Sequence, residues 1–270
     1  MSTTVLKCVR RSTLIGAVLA LLVSLPVQAA KVIDVANSYH NLSTSAPDIL
    51  GLLANPYRST NVTEICIFCH TPHSGNDPSV SGPLWNRQNP DSASFSMYVS
   101  SRTGTAATAG RSINKESLIC LSCHDGTIAT NEIINIGPEG LSVPEGADPA
   151  YINIVTDGFG GIPAIIGSRI GAAMQSDGTV YAVDTGHLED DHPISVNMQT
   201  SFDNFTNEFK TVAAATTAGV RFYNTSFVEC SSCHDPHINY LAAAGGDPAY
   251  APFLVMPNTN SDLCYACHNK

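Results

Sequence analysis

Eight of the nine cysteines in this 270-residue chain fall into four Cys-x-x-Cys pairs, and a histidine follows each pair at once. The pairs are Cys66/Cys69, Cys120/Cys123, Cys230/Cys233 and Cys264/Cys267, followed by His70, His124, His234 and His268. Whatever fold the chain adopts must hold two sulfurs about one helical turn apart with an imidazole beside them, four times over. The ninth cysteine, Cys8, lies in a leader made of Lys7, Arg10 and Arg11, an apolar run over 14–25, and then Ala29 and Ala30. That order is expected to be a signal peptide over 1–30, cleaved after Ala29 or Ala30. Its apolar run is shorter than the roughly 20 residues of a membrane span, and no later stretch reaches that length. Exported chains ordinarily use cysteines for disulfides, yet here every remaining cysteine belongs to a pair with its own histidine.

Cys-x-x-Cys-His is the attachment signature of c-type haem. The two thiols form thioethers on one edge of the porphyrin, and the adjacent histidine becomes the proximal ligand of the iron. Attachment outside the cytoplasm agrees with the leader, which is an independent signal. Zinc knuckles and redox dithiols also use paired cysteines, but neither requires histidine directly after the second cysteine every time. The expected cofactors are therefore four c-type haems.

Five histidines lie outside the motifs: His40, His73, His187, His192 and His237. Four six-coordinate irons need only four distal ligands. His73 and His237 follow prolines three residues past a proximal histidine, too near to reach the far face of their own haem. They are expected to ligate a neighbouring haem, most simply within the same pair of motifs. His192, in Asp190-Asp191-His192-Pro193, is the third candidate, and His40 and His187 compete for the last place. With histidines in surplus, the methionines of the mature chain are expected to pack rather than ligate.

The first and third motifs continue alike, as Cys-His-Thr-Pro-His and Cys-His-Asp-Pro-His, whereas the second and fourth do not. This alternation suggests an internal duplication, with haem pairs at about 60–130 and 225–270 joined by a haem-free segment in a single domain over 31–270. Gly, Pro, Ser, Thr and Asn interrupt the chain every few residues, so the fold class is mostly irregular coil. Short helices are expected through the motifs, with short strands at 179–183 and 220–223, organised around the four haems. Removing the three leader cations leaves ten Lys and Arg against 23 Asp and Glu, a formal charge of −13. Such a balance argues against nucleic acid as a partner. Four Asn-x-Ser/Thr sequences, at Asn41, Asn61, Asn204 and Asn224, are within chance for this composition, and the acids Glu189 to Asp191 read as a solvated turn.

The strings CIFCHTPH over 66–73, PLWNR over 83–87, CLSCHDGT over 120–127, DHPI over 191–194 and CSSCHDPH over 230–237 resemble the doubled Cys-x-x-Cys-His cytochromes. Within that group the chain is most similar to the tetrahaem cytochromes of metal-respiring bacteria that polymerise into extracellular filaments. The resemblance implies bis-histidine ligation throughout and a continuous haem stack. It also implies a distal histidine donated across each subunit joint, for which His40 is a candidate; His40 could equally close a haem of its own subunit. Partners would be redox proteins, extracellular acceptors and further copies of the chain, head to tail. The location would be extracellular or at the cell surface, with the periplasm as the alternative. Electron transfer without catalysis is the expected role. A multihaem reductase would need an open iron, which the surplus of histidines disfavours, and a mainly adhesive filament would be told apart by conductivity.

Overall fold

The structure is a computed structural model that describes residues 31–47, 59, 62–72, 84–124, 187–189 and 191–269. The chain from Lys31 to Lys270 forms one compact unit. Within the described residues the backbone is mostly irregular, with five short α-helices: α1 (Lys115–His124), α2 (Met198–Asn204), α3 (Val212–Ala218), α4 (Cys230–Cys233) and α5 (Asp262–Cys267). Strands are two residues long. β1 (Ser96–Met97) pairs in parallel with β2 (His187–Leu188), and β3 (Val196–Asn197) pairs antiparallel with β4 (Phe227–Val228).

All four cysteine motifs contain a helical turn, as expected, with Cys69 just past the end of the first, but they divide into two kinds. The second and fourth lie in helices of ten and six residues, α1 and α5. The first is a single 3-10 turn, Cys66–Phe68, and the third is α4, only four residues long. The difference lies at the N-terminal ends: α1 begins at Lys115 and α5 at Asp262, ahead of their first cysteines, whereas the first and third motifs begin at Cys66 and Cys230. At the other end α4 and α5 stop alike at the second cysteine, with His234 and His268 both extended at φ −117°, ψ 146° and φ −106°, ψ 150°.

The apolar core is thin and divided. One cluster joins Val196, Met198, Ala215, Val220, Val228 and Ala266, so that α3 and α5 pack beside the β3–β4 pair. The other joins Ile113, Leu118, Leu121 and Leu188, with Phe95, Met97 and Ile194 against it, beside the β1–β2 pair. Met198 is buried, and Met97 and Met256 are packed against these clusters, in line with packing roles.

The strand expected at 220–223 lies a few residues later. Gly219 adopts φ 117°, ending α3, and Val220 donates its N–H back to the Ala215 carbonyl at 3.1 Å. A turn through Asn224 and Thr225, both with positive φ, then delivers Phe227 and Val228 to the ladder. The strand expected at 179–183 lies outside the described residues.

Candidate functional site

Three of the four motif histidines face a histidine from outside the motifs. The ring centroids of His70 and His237 are 6.2 Å apart, those of His124 and His40 6.1 Å, and those of His268 and His192 6.4 Å. Two imidazoles bound on opposite sides of one metal, each nitrogen about 2 Å from it and each ring centre about 1.1 Å behind its nitrogen, have centroids about 6.2 Å apart. The three separations match that spacing to within a few tenths of an ångström. Their planes meet at 11° for His70/His237, 72° for His124/His40 and 75° for His268/His192. All such twists suit trans ligation, because each ring plane need only contain the bond to the metal.

Hydrogen bonds fix which nitrogen is available. His234 Nδ1 lies 2.9 Å from the Pro252 carbonyl, His192 Nδ1 3.0 Å from the Pro193 carbonyl, and His237 Nδ1 2.9 Å from Asp235 Oδ1. Each of these oxygens acts as acceptor, so Nδ1 carries the proton and Nε2 keeps its lone pair for a metal. His40 is different, for its Nδ1 is buried without a well-formed hydrogen bond, and only the Pro236 carbonyl opposes its loss of basicity. Burial first, and then the neighbouring His124, His237 and His234, lower its basicity to about 3. It is therefore a neutral imidazole, the form that ligates metals. Burial likewise lowers His70, helped by His237, and lowers His192.

Local sequence explains how two of these ligand candidates are held. His40 stands beside Asn41, which is fully buried: Asn41 Nδ2 donates to the Ala36 carbonyl at 2.8 Å, and its Oδ1 accepts from the Ser43 amide and hydroxyl at 3.0 and 2.7 Å. A glycan at Asn41 is incompatible with that burial. His237 is held by the segment Lys31 to Asp34. Asp34 donates its N–H to the His237 carbonyl and Asn239 donates to Val32, both at 2.9 Å, around a bridge between Ile33 and Ile238.

His237 meets His70, in the other half of the chain, rather than His268 in its own half. His40 meets His124 of the same chain. His73 lies outside the described residues, and so does the side chain of His187, whose backbone pairs with Ser96. The acids Glu189 and Asp191 belong to the segment leading to His192, and Asp190 lies outside the described residues.

The cysteines follow one another in space in sequence order. Cys69 lies within electrostatic reach of Cys123, Cys120 is hydrogen-bonded to Cys230, and Cys233 is within reach of Cys267. None of the eight forms a disulfide. Burial raises Cys69 to about 12, and Cys233 and Cys267 to about 11, which keeps them protonated. Among the described residues no group of three or more His, Cys, Asp or Glu side chains is arranged to hold a bare metal ion.

Two residues carry more of the site than their sequence context suggests. Glu229, 1 % exposed, accepts from Asn114 Nδ2 at 2.6 Å, Ser117 Oγ at 2.5 Å and Ser195 Oγ at 2.9 Å. Ser117 also accepts the Cys230 N–H at 3.2 Å, so this carboxylate ties α1 to the start of α4. Burial nevertheless raises the carboxyl above its usual value, against the opposing effect of those three bonds. Trp85, the only tryptophan, stands edge-on to His70 with centroids 6.3 Å apart and donates Nε1–H to Ser122 at 3.3 Å, bridging the first two motifs. The hydrogen bonds of Glu229 have no local sequence signal, whereas a lone Trp near a motif is at least a visible one.

No family model matches the chain, and no curated protein matches it significantly. Among the described residues, no helix is long and apolar enough to cross a membrane.

Proposed function

We propose that the chain is a multihaem c-type cytochrome whose role is electron transfer. The observation that carries this reading is the set of three histidine pairs, each joining one motif histidine to one outside the motifs at the spacing of trans ligands. The particular protein proposed is a tetrahaem cytochrome with bis-histidine ligation, its four haems strung in the order of their motifs. The eight paired cysteines would hold the haems as thioethers. His70/His237, His124/His40 and His268/His192 would supply three axial pairs, and His234 would take its partner from His73 or His187. Thioether formation suits buried thiols because it leaves a neutral sulfur, so no thiolate charge has to be buried.

A haem bound at such a site supplies a one-electron iron couple. The chain's own residues set its surroundings: imidazoles on both faces exclude a substrate from the metal, and Nδ1 hydrogen bonds fix ring orientation and tune ligand strength. The close succession of the cysteine pairs favours passage from one site to the next. Reductase chemistry would need an open axial position at one of the four sites.

Intact mass and alkaline pyridine spectra of the exported protein, produced in a host with c-type haem attachment, test this reading. Four covalent haems per chain are expected, and an unmodified chain would overturn it. Assembly into an extracellular, head-to-tail filament is a finer proposal that rests on the resemblance alone. With His40 set against His124, His73 and His187 remain the residues for a subunit joint or for His234. Negative-stain microscopy of the haem-loaded protein separates a filament from a soluble periplasmic shuttle.

A further inference from the structure

We infer that Asp235 is a positioning residue that strengthens His237 as a ligand and lowers the reduction potential of the His70/His237 haem. This inference rests on the haem reading of that site. Asp235 is almost buried, its side chain 7 % exposed, and divides its two oxygens between different tasks. Oδ1 accepts both the Nδ1–H and the backbone N–H of His237, at 2.9 and 3.1 Å. Oδ2 accepts Arg221 NH2 at 2.8 Å and Lys31 Nζ at 3.3 Å. The two cations hold the carboxylate in place from the far side, while the oxygen that faces the ring serves His237 alone, through its ring and its backbone N–H. A carboxylate accepting Nδ1–H moves electron density onto Nε2 and makes the imidazole a stronger donor, which favours the ferric over the ferrous state.

The other sites give an internal control. His192 and His234 donate Nδ1–H to the neutral carbonyls of Pro193 and Pro252. His40 has only the neutral Pro236 carbonyl beside it, and its Nδ1 makes no well-formed hydrogen bond. Of these four histidines, only His237 is paired with an anion. Arg221 and Lys31 pull in the opposite direction, but their side chains are 45 and 26 % exposed, so water screens them more than it screens the carboxylate.

The test is redox titration of the four-haem protein, followed by electron paramagnetic resonance, comparing the native chain with Asp235→Asn and Arg221→Gln. Asn at 235 keeps an oxygen for Nδ1–H but removes the charge, making the site resemble those of His192 and His234. One potential should then rise, by about tenfold in the reduced-to-oxidised ratio or about 59 mV, and the other three should stay. Removing the Arg221 cation should lower that same potential. A role in folding alone predicts that both variants act in the same direction or leave every potential in place, and either result overturns the inference. Should Asp235→Asn fail to load haem, Arg221→Gln decides: a single lowered potential supports the role, and an unchanged or raised one overturns it. Loss of all haem from the native chain would instead count against the haem reading itself.

Discussion

The His70/His237 and His124/His40 pairs are alike in ring spacing and opposite in surroundings. His237 is half exposed, braced by a carboxylate and two cations, and strapped by the segment Lys31 to Asp34. His40 is enclosed, its Nδ1 makes no well-formed hydrogen bond, and its immediate neighbours include three other histidines. One pair has near-parallel rings and the other nearly perpendicular ones. If both pairs ligate haem as proposed, identical ligands would not give identical irons. Hydrogen bonding at the far nitrogen and burial are separate levers on potential, and the two sites hold them at different settings.

Removing a ligand should break the comparison most. His40→Ala and His237→Ala should each open one iron in four, seen as one equivalent of carbon monoxide binding to the reduced protein. Retention of full six-coordination in either variant would mean the ring pair is not a ligand pair. Next in size is Glu229→Ala, on the His124 side, which strands three buried donors and should cost about 3 kcal/mol in thermal unfolding. Because burial raises the Glu229 carboxyl in the folded chain, its contribution is full below the unfolded value near 4.5 and declines as pH rises through the folded value. That decline should be missing from the variant's stability profile.

On the His237 side, Gly246→Ala would place a methyl 2.5 Å from both Asn239 Oδ1 and the Leu241 nitrogen. The backbone has to shift there, at a cost of about 2 kcal/mol, with the His237 haem perturbed before the His40 one. The smallest expected effect is Trp85→Phe. It removes one long hydrogen bond between the first two motifs and should change stability by about 0.5 kcal/mol with no change in haem content.

How far the sequence foresaw this differs from residue to residue. The helical turns at all four motifs were legible because two cysteines three residues apart fall about one helical turn apart. The role of His237 as a partner for another motif's histidine was legible from its distance along the chain. Which motif it meets was not, because the pairing with His70 depends on contacts from Lys31 to Asp34, some two hundred residues away in sequence. His40 was legible only as one of two competitors, since the loop around Asn41 that fixes it is held by short-range polar bonds with no periodic pattern. The strand at 227–228 was misplaced by a few residues because β-branched residues near Val220 outweighed the turn signal at Asn224. Glu229 and Asp235 were invisible, for a single acid beside a cysteine motif looks the same whether solvated or buried.

Low-temperature electron paramagnetic resonance of the oxidised, four-haem protein tests the central claim most directly, because it reads the ring pairs themselves. Parallel axial imidazoles give a rhombic low-spin signal, and perpendicular ones give a signal with a single large g value. The account predicts no high-spin ferric iron, at least one rhombic haem from His70/His237, and at least two of the large-g type from His124/His40 and His268/His192. A stoichiometric high-spin signal, or four haems of the rhombic type alone, would contradict it.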